Sequence, residues 1–206
     1  MKSPTIHDKV KAPLLAKKEK SGGNPDATLR ADHIFVGEDF SLRQVILQNG
    51  AQAVIRFIQP EDTALLQKMF KKVSKSSIYY RYFGYLPEIN AEFIARLTCA
   101  NPLREMIIVV ETRFNGSREF IAMANVVMDS DGEKAELAFL VADAWQKQGI
   151  GTALMDFIGK IAVRKGISTL YAYLMAINQG IIALLKKTGF TLHREGFDAF
   201  YAERKL

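Results

Sequence analysis

Cysteine is nearly absent from this chain: Cys99 is the only one in 206 residues. No internal disulfide can form, and the composition suits a reducing, cytoplasmic setting. No histidine stands near Cys99 in sequence, so a buried small side chain is expected there rather than a nucleophile. Histidine is scarce as well. His7, His33 and His193 share no metal-ligand spacing, and no metal is expected. Apolar runs stay well short of the ~20 residues that a membrane helix needs, and the N-terminus carries no secretory apolar region. No internal repeat is visible. Disulfide-stapled, metal-dependent, membrane-spanning and repeat classes are therefore set aside.

What remains is 49% hydrophobic, enough at this length to bury one sizeable core. The formal charge is +6, unevenly placed: residues 1–30 hold seven basic and three acidic residues. The same stretch contains Ser21-Gly22-Gly23-Asn24-Pro25, a turn or linker composition. Residues 1–32 read as a basic N-terminal arm and residues 33–206 as the folded domain. No aromatic residue interleaves with the arm's lysines as a stacking platform would require, so a solvated tail is expected and no nucleic-acid partner. Val10, Leu14 and Leu15 can pack on the core or on another subunit, and the oligomeric state stays open.

The domain reads as hairpins and helices. Leu42 to Leu47 alternates, Asn49-Gly50 turns, and Ala53 to Ile58 returns; Asn115-Gly116 joins Met106–Thr112 to Glu119–Met128. Between these hairpins two helices are expected. One carries Leu65, Leu66, Met69, Phe70 and Val73 inward; the other starts near Pro87 with Ile89, Phe93, Ile94 and Leu97. Asp131-Gly132 leads into Ala135–Val141. Ile150, Ala153, Leu154, Phe157, Ile158, Ile161 and Ala162 form an unbroken helical stripe, with Gly166 placed to end it. Thr169 to Met175 alternates as a strand, and the crossover implies a locally parallel pair. Thr191 to Glu203 is a last hairpin around Gly196-Phe197-Asp198. The order β-β-α-α-β-β-β-α-β-α-β-β predicts one α/β (α+β) domain with a mixed, largely antiparallel sheet flanked by helices.

Between the Ala135–Val141 strand and the striped helix lies Gln146-Lys147-Gln148-Gly149-Ile150-Gly151. Strand, glycine loop and helix N-terminus together offer backbone N–H groups and partial positive charge to a pyrophosphate. Gly149 and Gly151 lack a Cβ and let a diphosphate approach the main chain. Alone, this loop reads equally well as an ordinary strand–helix turn. A second element, Asn178 through Thr188-Gly189-Phe190, follows the next strand. Together they resemble the acyl-CoA signature of the GNAT superfamily of N-acetyltransferases: Gln-x-x-Gly-x-Gly after a strand, then an Asn-led helix ending in Gly-Phe. Val54–Asp62, Ser77–Gly84 and Ala135–Gln146 further resemble the catalytic domain of Pat-type bacterial protein lysine acetyltransferases. The resemblance runs from about residue 40 to the C-terminus.

The resemblance implies acetyl-CoA as acyl donor. Gln146, Lys147, Gln148, Gly149, Ile150, Gly151 and Thr152 would surround the pyrophosphate. Phe139, Leu140 and Val141 would lie along the pantetheine arm, their main chain pairing with its amides like an added strand and offering an N–H to the thioester oxygen. Those three side chains equally suit plain core packing. Asn178 would contact the pantetheine arm or cap its own helix. An acceptor amine of pKa ~10.4 must lose a proton, and Glu136 is the candidate base, ten residues before Gln146 among apolar neighbours. The other reading is a solvent-facing strand glutamate paired with a base such as Lys134; Glu111 is the reserve. Many relatives place a tyrosine to protonate the leaving thiolate where this chain has Leu185, and a thiol of pKa ~8.5 leaves tolerably without one. Tyr79, Tyr80, Tyr82, Phe83 and Tyr85 read as core more than site, with Arg81 unusual among them. Trp145 is expected beneath the loop.

The expected activity is direct transfer of acetyl to a protein lysine ε-amine in a ternary complex. The expected protein partner carries an exposed lysine, with acyl-CoA synthetases as plausible targets by resemblance. Two alternatives stay open: a small-molecule amine acetyltransferase on the same fold, and a non-catalytic acyl-CoA-binding module.

Overall fold

The computed structural model of the chain describes residues 42–84 and 88–206. The arm expected over residues 1–32, the start of the domain at residue 33, and Tyr85 lie outside the described residues. Eight strands form one sheet: β1 (Leu42–Ile46), β2 (Gln52–Phe57), β3 (Glu105–Phe114), β4 (Ser117–Met128), β5 (Lys134–Val141), β6 (Thr169–Met175), β7 (Thr191–Glu195) and β8 (Ala199–Lys205). Their order is β1-β2-β3-β4-β5-β6-β8-β7, antiparallel except between β5 and β6. The mixed, largely antiparallel sheet expected from the turn residues is the one observed.

Both faces of the central strands are covered, which is why β3 and β4 read as near-continuous apolar runs. On one face Met106, Ile108, Val110, Ala122, Ala124 and Val126 meet α4 (Ile150–Arg164), whose Leu154, Phe157, Ile158 and Ile161 are fully buried. α5 (Gln179–Lys187) adds Ile182 and Leu185 to the same core. On the other face Ile107, Val109, Phe120 and Met123 meet α1 (Thr63–Lys72), α2 (Lys75–Arg81) and α3 (Ala91–Thr98). A bulge between Val110 and Glu111 pairs them with Ala122 and Phe120, so Ile121 is the extra residue.

Among the described residues, three α-helices, not two, separate β2 from β3. α2 escapes a periodicity argument because it is only seven residues long and buries only Ile78. It is specified by its cap: Ser74 Oγ accepts from Ser77 N at 3.2 Å. α3 starts at Ala91 rather than near Pro87, because Asn90 Oδ1 accepts from Phe93 N at 2.9 Å. Cys99, expected to be buried, is exposed at the end of α3, beyond the last inward turn. α4 ends as its glycine implies: Gly166 takes φ +76°, and Ile167 N donates back to Ala162 O at 3.0 Å.

Candidate active site

The parallel ladder between β5 and β6 has three registered pairs, Lys134 with Thr169, Ala135 with Leu170 and Glu136 with Tyr171. β5 continues to Val141 and β6 to Met175 without pairing further. The sheet thus splits after Glu136, and the β5 edge from Leu137 onward faces a cleft of about 630 Å³. Phe139, Leu140 and Val141 line one wall; Ala172, Tyr173 and Leu174 line the other. An extended amide-bearing chain lying in this split meets the strand edge left by the missing ladder.

The loop closes one end of the cleft. Lys147 takes φ +59° and Gly149 φ +83°, a left-handed arrangement that turns successive N–H groups outward. Gly149 is also the N-cap of α4, whose first N–H groups have no carbonyl of their own helix to meet. Gln146, Lys147, Gly149, Ile150, Gly151 and Thr152 all line the cleft, as does Asn178. Gln148 does not; its carbonyl accepts from Gln48 N at 3.2 Å, tying the loop to the β1–β2 turn. Gly151 has a packing reason for being glycine besides its place in the cleft lining. A Cβ there would lie 2.6 Å from Leu184 Cδ2, so the missing side chain lets α5 pack against the start of α4. Gln146 Nε2 donates to Val141 O at 3.2 Å and to Ser77 Oγ at 3.3 Å, bracing the loop from within. Asn178 Oδ1 accepts from Ile181 N at 3.3 Å and so caps α5, and the residue also lines the cleft. Trp145 is half-buried, edge-on to Phe114 with ring centroids 6.4 Å apart.

Glu136 sits where the strands part, half-buried rather than solvent-facing. Burial pushes its carboxyl up to about 7; Arg81 pulls it down and Asp129 pushes it further up. Tyr171 donates to Asp129 Oδ1 at 2.7 Å, and burial together with that bond raises the phenol's pKa. Glu111, the reserve base, is engaged elsewhere. It accepts from Arg118 Nε at 2.6 Å and from Arg56 Nη2 at 2.8 Å. The bonds from Arg118 first, opposed by burial and reinforced by Arg56, bring it down to about 2. A carboxylate so held is a poor proton acceptor near neutral pH.

Leu185 is fully buried in the main core, and the neighbouring Leu184 faces the cleft instead. Sequence reasoning missed Gln48, Ser77, Asp143, Leu184 and Lys187, which also line it. Gln48 and Asp143 sit in turns, and no residue pattern around them marks them as part of a site. Tyr80 and Arg81 are there too, and an arginine among tyrosines was their one visible signal.

Comparisons with known proteins identify the fold and the family. The family described as acetyltransferase (GNAT) matches residues 67–190, more than half of the chain. The GNAT domain of S. lividans PAT is 28% identical, with a TM-score of 0.73 over 83% of this chain and 100% of that one. Spermidine N-acetyltransferase from Vibrio cholerae, solved with CoA and spermine, is 14% identical with a TM-score of 0.61, over 74% of this chain and 95% of that one. A putative acetyltransferase from Salmonella typhimurium, solved with its cofactor acetyl-CoA, is 19% identical with a TM-score of 0.60, over 75% of this chain and 94% of that one.

Proposed function

The chain belongs to the acetyltransferase (GNAT) family and is an acetyl-CoA-dependent N-acetyltransferase; from that premise we propose that its acceptor is a protein lysine ε-amine and that Glu136 is the general base. The observation that carries this reading is the half-buried Glu136 at the fork of the sheet, with a carboxyl pushed up to about 7. A base of that strength is half ionised near neutral pH and takes a proton from an ammonium as it approaches the thioester. The likeness to the S. lividans PAT domain supports a protein acceptor over a small amine.

When bound, acetyl-CoA supplies an acetyl group activated as a thioester. The N–H groups of the Lys147–Thr152 loop hold the diphosphate, and the free β5 edge at Phe139–Val141 aligns the pantetheine amides. A β5 N–H donates to the thioester oxygen as negative charge gathers there, and such a donor is worth ~3 kcal/mol when preorganised. Glu136 accepts the ammonium proton directly or through one water. The freed lone pair forms the new C–N bond as the C–S bond breaks; the nitrogen then gives up its second proton to the departed thiolate or to water, leaving an acetamide and CoA. Leu185 offers no proton, and a thiol of pKa ~8.5 departs without one.

The test is mass spectrometry after mixing the protein with acetyl-CoA and a cell lysate, with purified acyl-CoA synthetase as a separate arm. New N-acetyllysine on proteins is the expected result. Acetylation confined to small amines would replace the acceptor assignment, and no acetylation with intact acetyl-CoA binding would replace the catalytic one.

A further inference from the structure

The reaction as described leaves Asp143 without a role. It opens a short 3-10 turn, Asp143–Trp145, between the end of β5 and the pyrophosphate loop. Its carboxylate faces the cleft and accepts three hydrogen bonds from the start of α2: Ser74 N at 2.7 Å, Ser74 Oγ at 2.7 Å and Ser77 Oγ at 2.9 Å. Gln146 Nε2, bonded to Val141 O, reaches the same Ser77 hydroxyl. Burial pushes the Asp143 carboxyl up, but the donors from Ser74 and Ser77 outweigh it and hold it below the usual carboxylate range.

The tie matters because of what α2 carries. A seven-residue helix has little stability of its own. Only Ile78 of its seven residues is buried against the sheet, so contacts at its ends add to what holds it on β5 and β6. Its last turn brings Tyr80 and Arg81 into the cleft. The Arg81 guanidinium lies 4.7 Å from the centre of the Tyr82 ring, within electrostatic reach of Glu136. Three groups act electrostatically on or with Glu136 across the fork: Arg81 from α2, Asp129 from the β4–β5 turn and Tyr171 from β6. Arg81 is the cation among them.

We propose that Asp143 is a positioning residue for acetyl transfer: it pins the start of α2 to the end of β5 and so sets Arg81 in the cleft near Glu136. Asp143 acts through a hydrogen-bonded clip and does not touch the reacting atoms. The inference rests on the reading of Glu136 as the base.

The test compares Asp143→Ala, Asp143→Asn, Arg81→Met and the Asp143→Ala/Arg81→Met double variant. Turnover is read as CoA thiol release with a capped lysine peptide, or with whichever amine the lysate experiment returns. Displacing Arg81 removes a charge that favours ionised Glu136, so the acid limb of the pH–rate profile moves to higher pH. Asp143→Ala and Arg81→Met are each expected to show that shift, with kcat down roughly 10- to 100-fold from the misplaced geometry. Acetyl-CoA affinity stays within about twofold, since the loop donors are main-chain groups. Asp143→Asn, which keeps an acceptor oxygen, recovers part of the loss. The double variant shifts no further than Arg81→Met alone. Should Asp143→Ala fail to fold, Ser77→Ala removes one donor and carries the same comparison. A wild-type pH profile in Asp143→Ala or Ser77→Ala, or additive shifts in the double variant, overturns the proposal. Glu136→Gln separates the two failures: if it leaves the profile unchanged, the base assignment fails; if it removes the limb while Asp143→Ala does not move it, only the clip fails.

Discussion

In the proposed mechanism Glu136 serves chemistry at a cost to stability. Burial pushes its carboxyl up to about 7, so a base at this position makes turnover rise with pH through that value. Glu136→Gln keeps the shape and removes the proton acceptor. Turnover of a lysine acceptor is expected to fall ~10²- to 10⁴-fold, with acetyl-CoA affinity little changed. The limb near 7 disappears, and only the slow rise from neutral amine remains toward pH ~10.4. A pH–rate profile of both proteins with one acceptor decides this; equal rates across the range would remove Glu136 from the mechanism. The same raised value has a thermodynamic consequence. The folded state holds this proton more tightly than the unfolded chain, so folding loses stability as pH rises from ~4.3 toward 7. Glu136→Gln escapes that loss. Thermal melts should show the variant more stable than wild type at pH 8, with the difference gone at about pH 4.

Among the elements, α4 and its preceding loop close one end of the cleft, and their two glycines meet different surroundings. Gly149 takes φ +83°, so Gly149→Ala meets left-handed strain of ~1–2 kcal/mol in the turn that aims the N–H groups. Calorimetry is expected to show weakened acetyl-CoA binding. Gly151→Ala meets Leu184 instead, at 2.6 Å. Thermal stability should fall and then recover in part when Leu184→Ala is added, whereas equal losses with and without that second change would mean the two helices do not press on each other there. These elements also show what sequence reasoning reaches. α4 was legible because a fifteen-residue helix repeats its apolar stripe several times. β6 was legible because each buried Leu170, Ala172 and Leu174 alternates with a tyrosine or methionine. Glu136 and the loop stood out through their spacing. α2 was not legible, since seven residues give one turn of inward contact. Asp143 and Gln48 were not, because their roles come from partners 69 and 100 residues away, Ser74 in one case and Gln148 in the other. Nor does the sequence carry the early end of the β5–β6 ladder, which opens the cleft.

Across the whole molecule, one charged cluster joins the sheet to the helical layer at the entry to α1. Arg56 on β2 makes a bidentate pair with Asp62 at 2.7 and 2.8 Å, at the entry to α1. Arg56 also reaches Glu111 on β3, and Glu111 is shared with Arg118 on β4. Three strands and a helix start are thereby linked through side chains that are mostly buried, Asp62 being only 6% exposed and Arg56 16%. Such a cluster stabilises only while its acids stay charged, since each lost partner strands a buried arginine. Glu111 is held down at about 2, chiefly by Arg118. A depressed carboxylate contributes stability that is complete above its unfolded value of ~4.3 and is lost as pH falls through its folded one. Denaturant titrations should therefore show stability declining between about pH 4.3 and pH 2. Glu111→Gln is expected to be less stable at pH 7 and to show a flatter decline in that window. Arg118 is half exposed, so part of the effect should yield to ~1 M salt, while the Arg56–Asp62 part persists. An acid profile of Glu111→Gln parallel to wild type would show that this cluster does not set the acid limit of the fold.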